Sequence, residues 1–201
     1  MLKKLAKKYT TNKLPFYWPI YEKEFFRRRE DIKTLLEIGI EGGGSLKIWK
    51  NYFPNALIHG VDIQKKCMKE EAKRIKISIG DQADSKFLTT LGDYDIIIDD
   101  GGHMMEQQKT SFKHLFSHVN SGGVYVIEDL LTSYWPKFDG KLKNENTTVE
   151  MLKGLIDNLH AHWRQTHHKI RKFYPAEKPG YLDTHIDYMN IYDSIIFIGK
   201  K

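Results

Sequence analysis

The apolar positions of this chain fall into short runs separated by polar, helix-prone stretches. Thr34–Ile38 (TLLEI), Ala56–Ile63 (ALIHGVDI), Ile75–Ile79 (IKISI), Tyr94–Ile98 (YDIII) and Gly123–Ile127 (GVYVI) are rich in β-branched residues and short enough to be strands. Between them, Ser45–Tyr52 (SLKIWKNY), Gln64–Lys73, Asp84–Leu91 and Met104–His118 read as helices, with Ser45 an expected N-cap. Strands alternating with helices at this spacing predict βαβ units in a parallel sheet covered on both faces, which is why YDIII and GVYVI are almost continuously apolar. The pattern then changes. Lys137–Thr148 is polar and turn-rich and predicts a loop. Val149, Leu152, Leu155, Ile156, Leu159 and Trp163 recur at helical spacing, in a region closed by Pro175 and Pro179. Ile186–Ile198 reads as two strands joined by a tight turn near Asp193. The sum is an α/β, Rossmann-like domain over 33–201, with seven strands, mostly parallel, a terminal antiparallel hairpin, and helices on both faces. Residues 1–32 form an extension outside this core. Its basic start, MLKKLAKKYTTNKLPF, is expected to be a frayed, solvated tail, and its aromatic stretch Phe16–Phe26 a capping helix or an oligomer contact.

Composition narrows the class. The 201 residues are 40% hydrophobic and 29% charged, ordinary for one globular domain. No run is long and uncharged enough for a membrane span, and the basic N-terminus has no apolar stretch after its lysines, so integral membrane association and a secretory signal are not expected. The single cysteine, Cys67, allows no intrachain disulfide and fits the reducing cytoplasm. The net charge of +6 comes from scattered lysines and arginines without a nucleic-acid-binding motif, so it reads as solvated surface and not as an RNA or DNA site.

Two constellations carry candidate chemistry. The first is the glycine turn Glu37-Ile-Gly39-Ile-Glu-Gly42-Gly43-Gly44-Ser45 after the first strand. Glycines let the backbone approach a ligand closely, and the following helix aims its free amides at it. Asp62, at the tip of the second strand, is placed to accept hydrogen bonds from ribose hydroxyls, and Asp81 or Gln82 after the third strand to meet an adenine edge. The turn lacks the G-x-G-x-x-G spacing of dinucleotide sites, which favours an adenosylmethionine site over NAD. The second constellation is acidic. Asp99-Asp100-Gly-Gly-His103 ends the fourth strand and Glu128-Asp129 the fifth, so four carboxylates converge on the ligand side of neighbouring strands. Uncompensated, they would raise one another's pKa, and a hard divalent cation relieves this. Asp100, Glu128 and Asp129 are the candidate ligands of Mg²⁺ or Mn²⁺. Asp99 is assigned to the cofactor side or the loop backbone, and His103 is the candidate general base. His160, His162, His167 and His168 fall on a solvated helix or its end and have no such context.

The stretches LEIGIEGGGSLKIW, HGVDI, GDQAD, YDIIIDDGGHMMEQQ, GGVYVIEDL and IYDSIIFIGK resemble the metal-dependent sugar O-methyltransferases of macrolide and aminocoumarin antibiotic biosynthesis. The resemblance spans about Leu35 to Lys200 and is most specific in the IDDGGH and VIEDL blocks. It implies a class I methyltransferase fold, Mg²⁺ on Asp100, Glu128 and Asp129, and His103 as base. It also implies an S-adenosylmethionine site lined by Glu37, Gly39, Ser45, Asp62, Asp81 and Gln82, with Gly43 of the turn and Asp99 beside them. The expected activity is methyl transfer to a hydroxyl of a sugar, glycosylated small molecule or polysaccharide, the cation acidifying the hydroxyl and Trp135 offering a stacking surface. The expected partner is a small-molecule or glycan acceptor, and a homo-oligomer is compatible with the sequence. Two rivals are kept: a non-catalytic adenosylmethionine-binding or assembly subunit, and an RNA methyltransferase. The latter is disfavoured by the absence of an Asn-Pro-Pro-Tyr-type amine site.

Overall fold

The computed structural model describes residues 1–166 and 178–201. The expectations placed on Pro175, His167 and His168 lie outside the described residues. Seven strands form one sheet in the order β3-β2-β1-β4-β5-β7-β6. They are β1 (Thr34–Ile38), β2 (Leu57–Asp62), β3 (Ile75–Ile79), β4 (Tyr94–Asp99), β5 (Val119–Ile127), β6 (Ile186–Tyr192) and β7 (Ile195–Lys200). β3, β2, β1, β4 and β5 pair in parallel, whereas β7 runs antiparallel to both β5 and β6. This is the expected mostly parallel sheet with its terminal hairpin.

Alternate strand residues feed two separate cores. Leu35, Ile96, Ile98, Val124, Val126 and Phe197 face one layer, and Leu36, Ile97, Tyr125, Ile127, Ile196 and Ile198 face the other. The second layer is built by α5 (Met105–Leu115) and α6 (Thr148–Leu159), through Phe112, Leu115, Leu152 and Leu155. The first is built by α1 (Leu2–Lys8), α2 (Tyr17–Phe25) and α3 (Gly44–Tyr52), through Leu2, Tyr17, Trp18, Tyr21, Phe25 and Trp49. The remaining described α-helices are α4 (Ser85–Leu88), N-capped by the Asp84 carboxylate, α7 (Ala161–Thr166) and a short helix, Tyr181–His185, that leads into β6.

Three local expectations are corrected. The N-terminal stretch is not a solvated tail: Leu2 and Tyr17 are fully buried, Tyr21 stacks on Phe25 and meets Trp49 and Phe197 edge-to-face, and Phe25 meets Phe197 edge-to-face. Its alternation of lysines with apolar residues hides an amphipathic helix that packs against α2 and α3. Ser45 does not cap α3. Gly43 takes that place with φ +68°, and the Ser45 hydroxyl turns inward to donate to Glu37 Oε2 at 2.6 Å. Gln64–Lys73 contains only a 3₁₀ segment, Lys65–Glu70, followed by a tight turn in which Ala72 and Ile75 form an isolated antiparallel bridge.

Candidate active site

Strand order reverses between β1 and β4, and a crevice of about 270 Å³ opens at their carboxyl ends, as topology predicts. Gly39, Asp62, Asp81 and Gln82 line it, together with Asp100 and His103. Gly39 has φ +81°, and a Cβ there would stand 2.0 Å from the Asp100 carbonyl oxygen, so only glycine lets the loops after β1 and β4 meet. Asp62 Oδ2 accepts from the amides of Ile40 and Glu41, both at 3.1 Å, and Oδ1 from Gln64 at 2.8 Å. It thereby shapes the turn as well as the wall. Gln82 Oε1 accepts from the Gly102 amide at 2.6 Å, while Nε2 donates to Asp99 Oδ1 and Ser111 Oγ, each at 3.1 Å.

Four of the candidates for the cofactor side, Glu37, Gly43, Ser45 and Asp99, do not line this crevice. Asp99 is fully buried beneath it. Burial pushes its carboxyl up to about 7, against the pull of hydrogen bonds from Gly101, Gln82, Ser111 and Tyr125. Glu37 is also fully buried, taking hydrogen bonds from Ser45 Oγ and from Trp49 Nε1 at 3.0 Å. Gly43 faces the Glu70 side chain. Ser45 lines a neighbouring cavity together with Thr10, Thr11 and Asn12 of the N-terminal segment.

Beside the crevice mouth, Asp100, His103 and Asp129 bring one donor atom each within 4.8 Å of one another. His103 Nε2 lies 3.3 Å from Asp129 Oδ2 and 4.0 Å from Asp100 Oδ1. His103 (φ +59°) and Asp129 (φ +54°) both adopt the left-handed conformation that non-glycine residues avoid, a strain that recurs at functional sites. Glu128 stands outside this trio, completely buried.

Lys13 is the residue the sequence reading missed. Its side chain is wholly buried, and its ammonium lies 2.6 Å from Glu128 Oε1, 2.7 Å from Asp100 Oδ2 and 2.9 Å from Glu37 Oε1. Burial opposes its charge, but Asp100, Glu128 and Glu37 together hold its pKa well above the usual lysine range. Tyr21 donates to Glu128 Oε1 at 2.5 Å and Tyr17 to Asp129 Oδ1 at 2.7 Å. The four-residue spacing of Lys13, Tyr17 and Tyr21 was visible in the sequence, as was the lack of any basic partner for four carboxylates. Burial raises the carboxyls of Asp100 and Glu128 and lowers the imidazole of His103, an effect that Asp129 opposes and Lys13 reinforces. A hard divalent cation fits this donor set. Donor atoms of Asp100, His103 and Asp129 converge there, and Glu128 Oε2 is buried without a hydrogen-bond partner.

With this geometry in place, comparison with known proteins is informative. The chain is 40% identical to demethylmacrocin O-methyltransferase of Streptomyces fradiae, over 99% of its own length and 53% of that protein. It is 38% identical to mycinamicin VI 2''-O-methyltransferase of Micromonospora griseorubida, over 99% of its own length and 52% of that protein. Among solved structures it superposes with a TM-score of 0.89 and 36% identity on the MycE methyltransferase from the mycinamycin biosynthetic pathway, a structure in complex with Mg and SAH. That match covers 99% of this chain and 54% of MycE. The chain is homologous to the macrocin and mycinamicin O-methyltransferases. It spans about half the length of these relatives. The match runs through α1 and α2 as well as the sheet, so this homologue of the macrocin enzyme shares with MycE the layer that carries Lys13, Tyr17 and Tyr21. The sheet is that of a class I methyltransferase. No family model matches the chain. Among the described residues no helix is long and apolar enough to cross a membrane.

Proposed function

We propose that this chain is a Mg²⁺-dependent O-methyltransferase that moves the methyl group of S-adenosylmethionine to a hydroxyl of a sugar or glycosylated small molecule. The observation that carries the reading is the convergence of Asp100, His103 and Asp129 at the mouth of a glycine-walled crevice. The relatives support it, since each is named for O-methyl transfer and MycE has been solved with Mg, SAH and mycinamycin VI together.

In this reading the crevice between Gly39, Asp62 and Gln82 takes the cofactor, with Asp62 and Asp81 nearest the nucleoside. Asp100, Glu128 and Asp129 hold the cation, whose contribution is to acidify a hydroxyl that is otherwise too weak an acid. His103 receives the acceptor's proton. Burial keeps its imidazole neutral near pH 7, and its Nε2, 3.3 Å from Asp129 Oδ2 and 4.0 Å from Asp100 Oδ1, is the nitrogen that faces the ligand oxygens and is placed to take that proton. The left-handed backbone at His103 and Asp129 fixes both side chains, so the chain contributes alignment for an in-line displacement. The Phe138 ring lies 6.3 Å from His103 and the half-exposed Trp135 ring 6.1 Å from Phe138. Together they form an aromatic ledge leading away from the base on which a sugar face can lie.

Assays with demethylmacrocin and mycinamicin VI as trial acceptors test this. His103→Ala and Asp100→Ala should each lose about 10²–10⁴-fold in turnover, with adenosylhomocysteine binding by calorimetry little changed. Parent-like turnover of both variants in EDTA would sink the assignment, and so would a parent chain that binds neither adenosylhomocysteine nor Mn²⁺.

A further inference from the structure

The three candidate ligand carboxylates share a feature that the rim of the sheet does not explain. Each has one oxygen engaged by the N-terminal segment. Lys13 takes Asp100 Oδ2, Lys13 and Tyr21 together take Glu128 Oε1, and Tyr17 takes Asp129 Oδ1. The opposite oxygens are left over: Asp100 Oδ1 and Asp129 Oδ2 on the His103 side, and Glu128 Oε2 buried with no partner. The engaging residues are spaced four apart and enter from one layer, and Tyr17 and Tyr21 are anchored in the apolar core. The Tyr17 hydroxyl also accepts from the Asp129 amide at 3.2 Å, so it holds both the carboxylate and the strained backbone beneath it.

We infer that Lys13, Tyr17 and Tyr21 are positioning residues that force Asp100, Glu128 and Asp129 to offer one oxygen each, which selects a small octahedral cation over Ca²⁺. A carboxylate with one oxygen already hydrogen-bonded presents only the other, and its plane no longer turns freely. Mg²⁺ and Mn²⁺ suit single-oxygen donors in near-octahedral array, whereas Ca²⁺ gains from carboxylates that clasp it with both oxygens at longer distance. Lys13 adds a second effect. Its fixed positive charge among Glu37, Asp100 and Glu128 lets the ligands stay buried and assembled before a cation arrives. The inference rests on the metal reading given above.

The test is Mn²⁺ binding followed by the electron paramagnetic resonance of free Mn²⁺, with Ca²⁺ as competitor, on the full chain without substrate. Tyr17→Phe and Tyr21→Phe remove one oxygen each and leave the rings in the core. Each should weaken Mn²⁺ binding by about 10-fold, the usual effect of removing a hydrogen bond to a metal ligand, and each should narrow the gap between Mn²⁺ and Ca²⁺. Tyr52→Phe is the control for core perturbation, because the buried Tyr52 hydroxyl has no partner, and it should change neither quantity. Mn²⁺ affinities within twofold of the parent in both site variants, or an unchanged Ca²⁺-to-Mn²⁺ ratio, overturn the inference while leaving the metal reading intact. A parent chain that binds no Mn²⁺ overturns both.

Discussion

Two regions meet at the acidic site by different routes. The rim of the sheet supplies Asp62, Asp100, His103, Glu128 and Asp129 from the ends of β2, β4 and β5, where a parallel sheet puts its loops on one side. The N-terminal segment supplies Lys13, Tyr17 and Tyr21 from before β1, by folding back across one face of the sheet. The rim is acidic and conformationally strained. The segment is basic and aromatic, and it carries the cation and hydroxyls that make the rim tenable. Neither is a complete site, since the rim without the segment would hold Glu37, Asp100 and Glu128 buried and uncompensated.

The sharpest way to break this pairing is Lys13→Met, which keeps most of the unbranched stem and removes the charge. Deleting one partner of a buried ion pair leaves the other uncompensated and costs about 3–5 kcal/mol, here with three carboxylates affected. A Tm lowered by on the order of 10 °C is expected for a chain of this size, and thermal denaturation in EDTA measures it. Saturating Mg²⁺ should restore part of the loss, because a bound cation supplies the missing charge. A Tm within about 2 °C of the parent would mean that the rim carboxylates do not need the segment.

The same contrast explains how much was legible beforehand. Strand tips could be read because a β-branched run ending in Asp or Gly fixes both the end of the strand and the side of the sheet it faces. Asp100, His103 and Asp129 therefore converge where they were expected. Lys13 was illegible because its role depends on a contact spanning more than eighty residues. Its four-residue spacing from Tyr17 and Tyr21 sets it apart from the other lysines of KKYTTNKLPF, but the spacing does not say which part of the sheet it reaches. Glu37 and Asp99 differ again: both stand at strand ends, but alternation turns their side chains into the protein, where Trp49 meets Glu37 and Gln82 meets Asp99, and Asp99 takes the loop-backbone role through the Gly101 amide.

A milder intervention acts on the seam between the regions. Gly44 opens α3, and a Cβ there would stand 1.7 Å from the carbonyl oxygen of Thr10, three residues before Lys13. Gly44→Ala must push the segment off the glycine turn, at a cost of about 1–3 kcal/mol typical of overpacking. If the segment positions the ligands, Mn²⁺ affinity falls with it. Gly154→Ala is the matched control. Gly154 lies in α6 with open space around it, so the substitution should be neutral or stabilise by about 0.4–1 kcal/mol and leave Mn²⁺ binding unchanged. Equal Mn²⁺ affinity in the two variants would dissolve the link between the seam and the site.

The smallest effect tests the sheet where the segment plays no part. His59 on β2 is buried between Tyr94 and Ser78, its ring nitrogens 2.6 and 2.9 Å from their hydroxyls. Burial, aided by the charge of Lys76, lowers its imidazole from the ordinary 6.5 to about 4. Between those values the unfolded chain binds a proton at this residue and the folded chain does not, so stability rises with pH across that window and is lost as pH falls from 6.5 toward 4. Allowing for solvent screening, the contribution is about 1–2 kcal/mol. Asp99 runs the other way, since a carboxyl raised to about 7 makes the folded chain the better proton binder below that pH. The two are separated by comparing slopes: His59→Gln should flatten the acid-side fall of Tm without altering Mn²⁺ binding at neutral pH. An acid-side slope that does not change would place the acid sensitivity outside the β2–β3 edge.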